Sequence, residues 1–287
     1  MIKPGIKIWI FLSSFLIAIH ISSSSLDCSN KDLSVHFIDV GYGDSILIEF
    51  PDGGNMLIDG GARRNVRKVI KYLNEREIDK LDIIVATHAH EDHLGGLPAI
   101  ARIYEIDTVI SNEDISKNRN YTTFFRAIKR KKKEVELKVL RRGDRIDRFD
   151  TVRIEILHPD KLKDLPNDSS VVIKLTYKRV SFLFAADIGP EICNELVESY
   201  GKKLRSNILK VPWHGKAGSE EFIRTIKPKL AIISVGPSEW SAPSEDVLDD
   251  YKKLKIPILR TDEAGSIVVK TDGRKFYSST QRNSIAE

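Results

Sequence analysis

Within six residues, His88-Ala89-His90-Glu91-Asp92-His93, the chain places three histidines and two acids. Imidazole and carboxylate are the side chains that hold zinc or manganese while leaving coordination positions open to water. Four such groups at this spacing on one loop can serve two metal ions. A single histidine here would read as part of a solvated polar turn, but three interleaved with acids do not. The cluster follows an apolar run, Leu81-Asp82-Ile83-Ile84-Val85-Ala86, whose isoleucines and valine predict a buried strand. Leu94-Gly95-Gly96-Leu97-Pro98 comes next and opens a helix. The histidines therefore sit on a loop leaving the carboxyl end of a strand, a common place for residues that do chemistry.

Other elements must bring partners to that loop. Residues 35–40, 46–50 and 56–58 read as a β-meander, joined by Gly41-Tyr42-Gly43-Asp44-Ser45 and Pro51-Asp52-Gly53-Gly54-Asn55. Residues 66–73 carry apolar side chains at helical spacing. Residues 97–103, 121–130 and 191–200 read as further helices, and 112–120 as a polar loop. Short strands are predicted at 108–110, 152–157, 171–176, 180–185, 208–211, 267–270 and 275–277. At 287 residues the chain is long enough for one large domain or two small ones.

The formal charge of +5 suits a polyanionic partner without requiring one. Arg130-Lys131-Lys132-Lys133 and Arg141, Arg142, Arg145 and Arg148 form a basic region. It reads either as a solvated helix end or as a nucleic-acid or membrane-surface patch whose binding falls with salt. Lys3 and Lys7 precede an apolar run over 8–21 and then Ser22 to Ser25. This order predicts a signal peptide or N-terminal anchor over 1–25, hence export and transient membrane association. Asp27 before Cys28 is a poor fit to lipoprotein processing. With Cys28 and Cys193 alone, one disulfide can form and a Cys-x-x-Cys metal site is excluded.

The H-x-H-x-D-H arrangement of His88, His90, Asp92 and His93 resembles the signature of the metallo-β-lactamase superfamily. The flanking segments are similar to the extracytoplasmic hydrolase domain of ComEC-type competence proteins. Asp39-Val40-Gly41-Tyr42-Gly43-Asp44-Ser45 is close to their D-V-G-Q-G-D-[AS], with Tyr42 for Gln. Asn167-Asp168-Ser169-Ser170 resembles their N-D-x-S, and Ala185-Ala186-Asp187 stands at their T-G-D strand end. Pro212-Trp213-His214-Gly215-Lys216 aligns with H-H-G-S, Trp213 replacing the first His and Lys216 the Ser. Ala242 stands where the relatives place a His near the substrate, and Arg260-Thr261-Asp262 matches their R-T-D. The likeness runs from about residue 34 to about 269.

The resemblance implies an α/β (α+β) fold, a four-layer αββα sandwich over 32–278, with a tail at 279–287. It implies two divalent ions, zinc or manganese. His88, His90 and Asp168 would hold one; Asp92, His93 and His214 would hold the other; Asp187 would bridge. His158 also ends a strand, but the resemblance points to Asp168 instead. Asp59 would support the metal loop from behind. Asp92 is also expected to orient the attacking water and Lys216 to steady a phosphate. The activity implied is phosphodiester hydrolysis by an exported nuclease acting on DNA, as in competence and DNA uptake. A small-molecule phosphodiesterase resembling the phosphorylcholine esterases is the alternative. A non-catalytic exported DNA-binding module using the basic region is the third reading. β-Lactam hydrolysis fits less well, because the other segments match the competence proteins.

Overall fold

Strands β1 (Leu33–Phe37), β2 (Ile46–Glu49) and β3 (Asn55–Ile58) send alternate side chains to opposite faces, the period-two pattern of extended chain. Val35, Phe37, Ile46, Ile48, Met56 and Ile58 enter one core, while Leu47 and Leu57 enter another. The computed structural model describes residues 32–112, 119–237 and 241–282. After the meander come α1 (Val66–Glu75), β4 (Lys80–Ala86), α2 (Glu91–Leu94), α3 (Leu97–Ile103), β5 (Glu105–Ser111), α4 (Arg119–Lys129) and β6 (Glu136–Val139). The second half holds β7 (Arg153–His158), β8 (Val172–Tyr177), β9 (Val180–Phe184), α5 (Pro190–Tyr200), β10 (Ile208–Lys210), α6 (Glu220–Ile226), β11 (Leu230–Ile233) and α7 (Glu245–Lys253). Then follow β12 (Ile258–Arg260), α8 (Thr261–Ala264), β13 (Ile267–Thr271) and β14 (Phe276–Thr280).

The strands form two sheets, ordered β14-β13-β1-β2-β3-β4-β5-β6 and β12-β11-β10-β9-β8-β7. The core between them takes Phe37, Ile83 and Val85 from the first and Ile173, Phe182, Phe184 and Ile208 from the second. Each such side chain contributes roughly 1.5–3 kcal/mol through burial. On the outer face of the first sheet, Val69 and Leu73 of α1, Leu97 and Ile100 of α3 and Phe124 of α4 pack against Leu81 and Ile84. On the outer face of the second, Ile192, Leu196, Phe222, Ile223 and Tyr251 cover Leu183, Leu209 and Ala231. This is the expected αββα sandwich. The pairs β3–β4–β5 and β9–β10–β11–β12 are parallel. Loops after β4, β9 and β10 thus leave carboxyl strand ends, where α/β sheets place their ligands.

Several elements go beyond the sequence reading, β6, α6, β11, α7, β12 and α8 among them. β6 is an edge strand with all four residues exposed, so its alternation of Glu136, Leu137, Lys138 and Val139 carries no burial signal. α7 is set by its cap: the Ser244 hydroxyl accepts from the Val247 N–H. The expected tail from 279 is corrected in part. β14 pairs antiparallel with β13 up to Thr280, and the Gln281 and Arg282 amides donate to the Ser266 and Ala264 carbonyls. That pairing satisfies backbone groups that a free tail would leave to water. The expected leader at 1–25 lies outside the described residues. Among the described residues no helix is long and apolar enough to cross a membrane.

Candidate metal centre

The loop after β4 is held from behind by Asp59, at the end of β3. One Asp59 oxygen accepts from the Thr87 amide at 2.9 Å, and the other from the Thr87 hydroxyl at 2.6 Å and from His93 Nδ1 at 2.8 Å. The Thr87 hydroxyl has given its proton to Asp59, so it accepts from His88 Nδ1 at 3.1 Å. His214 Nδ1 donates to the Ser234 carbonyl at 2.8 Å. In all three buried histidines the outer nitrogen is thus a donor, and Nε2 turns inward. This is the arrangement that prepares an imidazole to bind a metal.

His214 Nε2 lies 3.2 Å from Asp92 Oδ2 and 3.1 Å from Asp187 Oδ2; His93 Nε2 lies 3.2 Å from the same Asp187 oxygen. One ligand atom from each of Asp92, His93, Asp187 and His214 falls within 4.8 Å of all the others. His88 Nε2 and His90 Nδ1 face each other at 3.1 Å. Zinc–nitrogen bonds of about 2.0–2.1 Å at a tetrahedral angle put two nitrogens about 3.3–3.4 Å apart. The His88 and His93 rings lie 4.1 Å apart, so the pair and the quartet adjoin.

The electrostatics fit a divalent cation. Burial opposes a charged His93, but Asp187, Asp92 and Asp59 push its pKa well above the ordinary value. Burial likewise opposes His214, and Asp187 and Asp92 push it up to about 9. Burial alone would raise Asp187; His214, His93 and Lys210 hold it well below the carboxylate range. His88 moves the other way, pushed well down by burial and then by His93. Four carboxylates, Asp44, Asp59, Asp92 and Asp187, face one fixed cation, Lys210. His93 Nε2 is fully buried yet has no hydrogen-bond partner. A buried nitrogen without a partner beside excess carboxylates suits a metal ion, which binds by displacing protons from such groups.

Lys210 and Asp44 were not anticipated from sequence as a pair. Lys210 is 1% exposed, forms an ion pair with Asp44, and donates to the Ala186 carbonyl at 2.9 Å. It lies 3.5 Å from the Asp187 oxygen turned away from the histidines. The available signal was a lysine two residues after inward-facing Ile208, on a strand otherwise made of apolar residues. The loops around the site are strained: Asp59, Ala186, Trp213 and His214 all have φ between 46° and 58°. Such conformations cost of order 1–3 kcal/mol each and gather at functional sites. The Trp213 amide donates to the Ala186 carbonyl at 3.1 Å, tying the loops after β9 and β10 together. Gly43 permits the closest approach: a Cβ there would lie 2.2 Å from the Asp92 carbonyl oxygen.

Asp168 is expected beside His88 and His90, and the quartet forms without it. Its Oδ1 lies 2.9 Å from where a Cβ on Gly189 would stand, and its carbonyl accepts from His158 Nε2 at 2.8 Å. Asn167 reaches the cavity instead. That cavity, about 440 Å³, opens onto the metal residues and is lined by Tyr42, Arg64, His90, Asp92, Asn167, Asp187, Trp213 and Lys216. Arg64 was also missed; nothing in its local sequence separates it from other surface arginines. The Lys216 ammonium lies 5.2 Å from the Trp213 ring centroid. Tyr42 packs on His214 at 4.4 Å, and burial, then Asp187, Asp92 and Asp44, keep its phenol protonated.

Part of the basic region is neutralised by acids. Arg142 and Lys163 pair with Glu195, Lys133 with Asp107, and Arg148 with Asp82 and Asp107. Lys131 donates to the Tyr104 carbonyl. The solvated and paired reading of this region accounts for Lys133, Arg142 and Arg148.

Two facing sheets covered by helices, with histidines and aspartates on the loops at their carboxyl ends, define the class. The chain belongs to the metallo-beta-lactamase superfamily, a family of metal-dependent hydrolases whose profile matches residues 38–257. Among curated relatives it is similar to ComE operon protein 3 of Bacillus subtilis, 28% identical over 84% of this chain and 33% of that protein. It is also similar to competence protein ComA of Neisseria gonorrhoeae, 23% identical over 92% of this chain and 35% of that protein. The chain thus spans about a third of the length of these relatives. The metallo-beta-lactamase fold protein YhfI of Bacillus subtilis shares the fold, with a TM-score of 0.54 at 10% identity, over 81% of this chain and 98% of that one.

Proposed function

We propose that this chain is an exported phosphodiesterase that cuts nucleic acid, DNA above all, with two divalent metal ions. The observation that carries the reading is the convergence of Asp92, His93, Asp187 and His214, two of which, Asp92 and Asp187, line one cavity with the cations Lys216 and Arg64. In this reading His88 and His90 would hold one ion, Asp92, His93 and His214 would hold the other, and Asp187 would serve both. When bound, the ions supply a Lewis acid for the phosphoryl oxygens and make water acidic enough to attack near neutral pH. Lys216 and Arg64 bind the phosphate, Arg64 through its planar fork of donors. Tyr42, a protonated phenol beside the quartet, offers a further donor. Asp92 would orient the attacking water.

The lining favours a nucleotide over a choline phosphoester. A quaternary ammonium headgroup would meet two like charges here, the Lys216 ammonium by the Trp213 ring and the Arg64 guanidinium. A nucleobase can stack on such a ring while its phosphate meets the cations. The names of the competence relatives support DNA as the polymer, and the leader over 1–25 supports action outside the cytoplasm.

The test is metal content by elemental analysis, with hydrolysis of a single-stranded oligonucleotide, bis(p-nitrophenyl) phosphate and p-nitrophenyl phosphorylcholine. Wild-type protein is expected to hold close to two divalent ions and to cut the first two substrates. His93→Ala and Asp187→Asn are expected to lose metal and at least about 10²-fold in rate. Metal content near zero in wild type, or cleavage of the choline ester alone, would defeat the proposal.

A further inference from the structure

A second groove opens beside the catalytic cavity and shares Glu91 as a wall with it. It has a volume of about 390 Å³. Its floor is apolar, made by Leu94 and Pro98, and its sides carry three exposed arginines: Arg63, Arg102 and Arg119. They come from three elements, the turn before α1, the last turn of α3 and the start of α4. None of the three forms an ion pair with any described residue. Glu91 is the one acid in the lining, and it is held in place, accepting from the Arg63 amide at 2.8 Å. Gly95 keeps the floor low, since a Cβ there would lie 2.4 Å from the Glu91 carbonyl oxygen. Arg63 and Arg64 are adjacent in the chain but face different cavities, so positive charge continues from Lys216 and Arg64 into this groove.

The contrast with the basic region is informative. There, Lys133, Arg148 and Arg142 are matched by Asp107, Asp82 and Glu195. Here guanidinium groups are gathered from separate elements without matching acids among the described residues. Guanidinium is the side chain best shaped to hold phosphate oxygens through paired hydrogen bonds.

We infer that the groove of Arg63, Arg102 and Arg119 is a polyanion subsite that holds the sugar–phosphate backbone of the nucleic-acid strand whose scissile phosphate lies in the adjoining cavity. The inference rests on the hydrolase reading above for the identity of the strand. It makes the substrate a polymer, because a small diester filling the first cavity leaves the second unused.

The test uses full-length protein and two charge-reversed pairs, Arg102→Glu with Arg119→Glu, and Lys132→Glu with Arg145→Glu as a control of equal charge change. Binding of a fluorescein-labelled single-stranded oligonucleotide is measured by anisotropy in EDTA at several salt concentrations. Turnover of bis(p-nitrophenyl) phosphate is measured with metal. The groove pair is expected to weaken oligonucleotide binding about tenfold or more and to flatten the log–log salt slope by about 1.4, roughly 0.7 per arginine. The control pair is expected to change binding by less than about threefold, and the small diester to be turned over at a rate within about twofold of wild type. Arg102→Gln with Arg119→Gln repeats the measurement with a milder change. Equal losses for groove and control pairs, or a parallel loss with the small diester, would overturn the subsite. If wild type cuts neither substrate, the hydrolase reading fails, while the anisotropy and its salt slope still decide the groove.

Discussion

Asp59 touches no substrate in the proposed reaction, yet three hydrogen bonds through it fix the protons of Thr87, His88 and His93. Asp59→Asn keeps the shape but replaces an acceptor with a donor facing His93 Nδ1. The expected result is a loss of about 10–100-fold in metal affinity, read by competition with a chromophoric chelator. An unchanged affinity would show that packing alone orients His93. Lys210 is the opposite case, a fixed charge whose removal strands its partners. Lys210→Met leaves Asp44 and Asp187 buried without their cation. A stability loss of about 3–5 kcal/mol is expected in urea unfolding of metal-free protein. The histidine loop was legible in sequence because its residue types are rare in combination. Lys210 was not, because its meaning depends on a strand facing Asp44 across the two sheets.

At the scale of elements, β1, β2 and α1 are joined on their outer face by His36, Glu49, Tyr72 and Arg76. His36 Nε2 lies 2.6 Å from Glu49, its Nδ1 bonds the Tyr72 hydroxyl at 2.9 Å, and Arg76 reaches Glu49 at 3.0 Å. Burial would raise Glu49, but hydrogen bonds from His36 and Arg76 hold its pKa at about 2. A depressed carboxylate stabilises the fold above its unfolded pKa of about 4.5, and that contribution fades as pH falls from there toward 2. Glu49 is 24% exposed, and solvent screening limits the effect. Glu49→Gln is expected to cost about 1 kcal/mol at neutral pH, with the difference from wild type closing as pH drops below about 4. A pH-independent difference in chemical denaturation would exclude the ionic cause. The loop carrying Gly43 belongs to this scale as well. Gly43→Ala forces a φ of 127° on a side-chain residue and drives its Cβ into Asp92. Loss of bound metal is expected to accompany its loss of stability, and retention of both would refute the close approach.

At the scale of the whole molecule, the site belongs to neither sheet. Asp92 and His93 follow β4 of the first sheet, whereas Asp187 and His214 follow β9 and β10 of the second. A bound ion therefore ties the two halves together and stabilises the native state by mass action, about 2.7 kcal/mol at one hundred times its dissociation constant. Adding zinc to EDTA-treated protein is expected to raise the thermal midpoint by several degrees. His214→Ala is expected to lower the metal-free midpoint, since Asp187 and Asp92 lose a buried partner, and to remove most of the increment measured from that lower midpoint. A full increment in the variant would mean that the first-sheet loop binds metal by itself.

The sequence by itself determined the strand and helix pattern, the histidine loop and the family. Those features are local: period-two and helical spacing, turn residues and a dense set of ligand types can all be read within a few neighbours. The tertiary structure decided which distant residues meet. It set Asp187 and His214 against His93, buried Lys210 behind them and turned Asp168 toward Gly189. It also paired Lys133, Arg142 and Arg148 of the basic region with acids and, among the described residues, left arginines without acid partners around a groove that no segment of sequence marks. Each of those outcomes depends on the packing of two sheets whose facing residues lie about 100 or more positions apart in the chain, a separation over which local spacing carries no information.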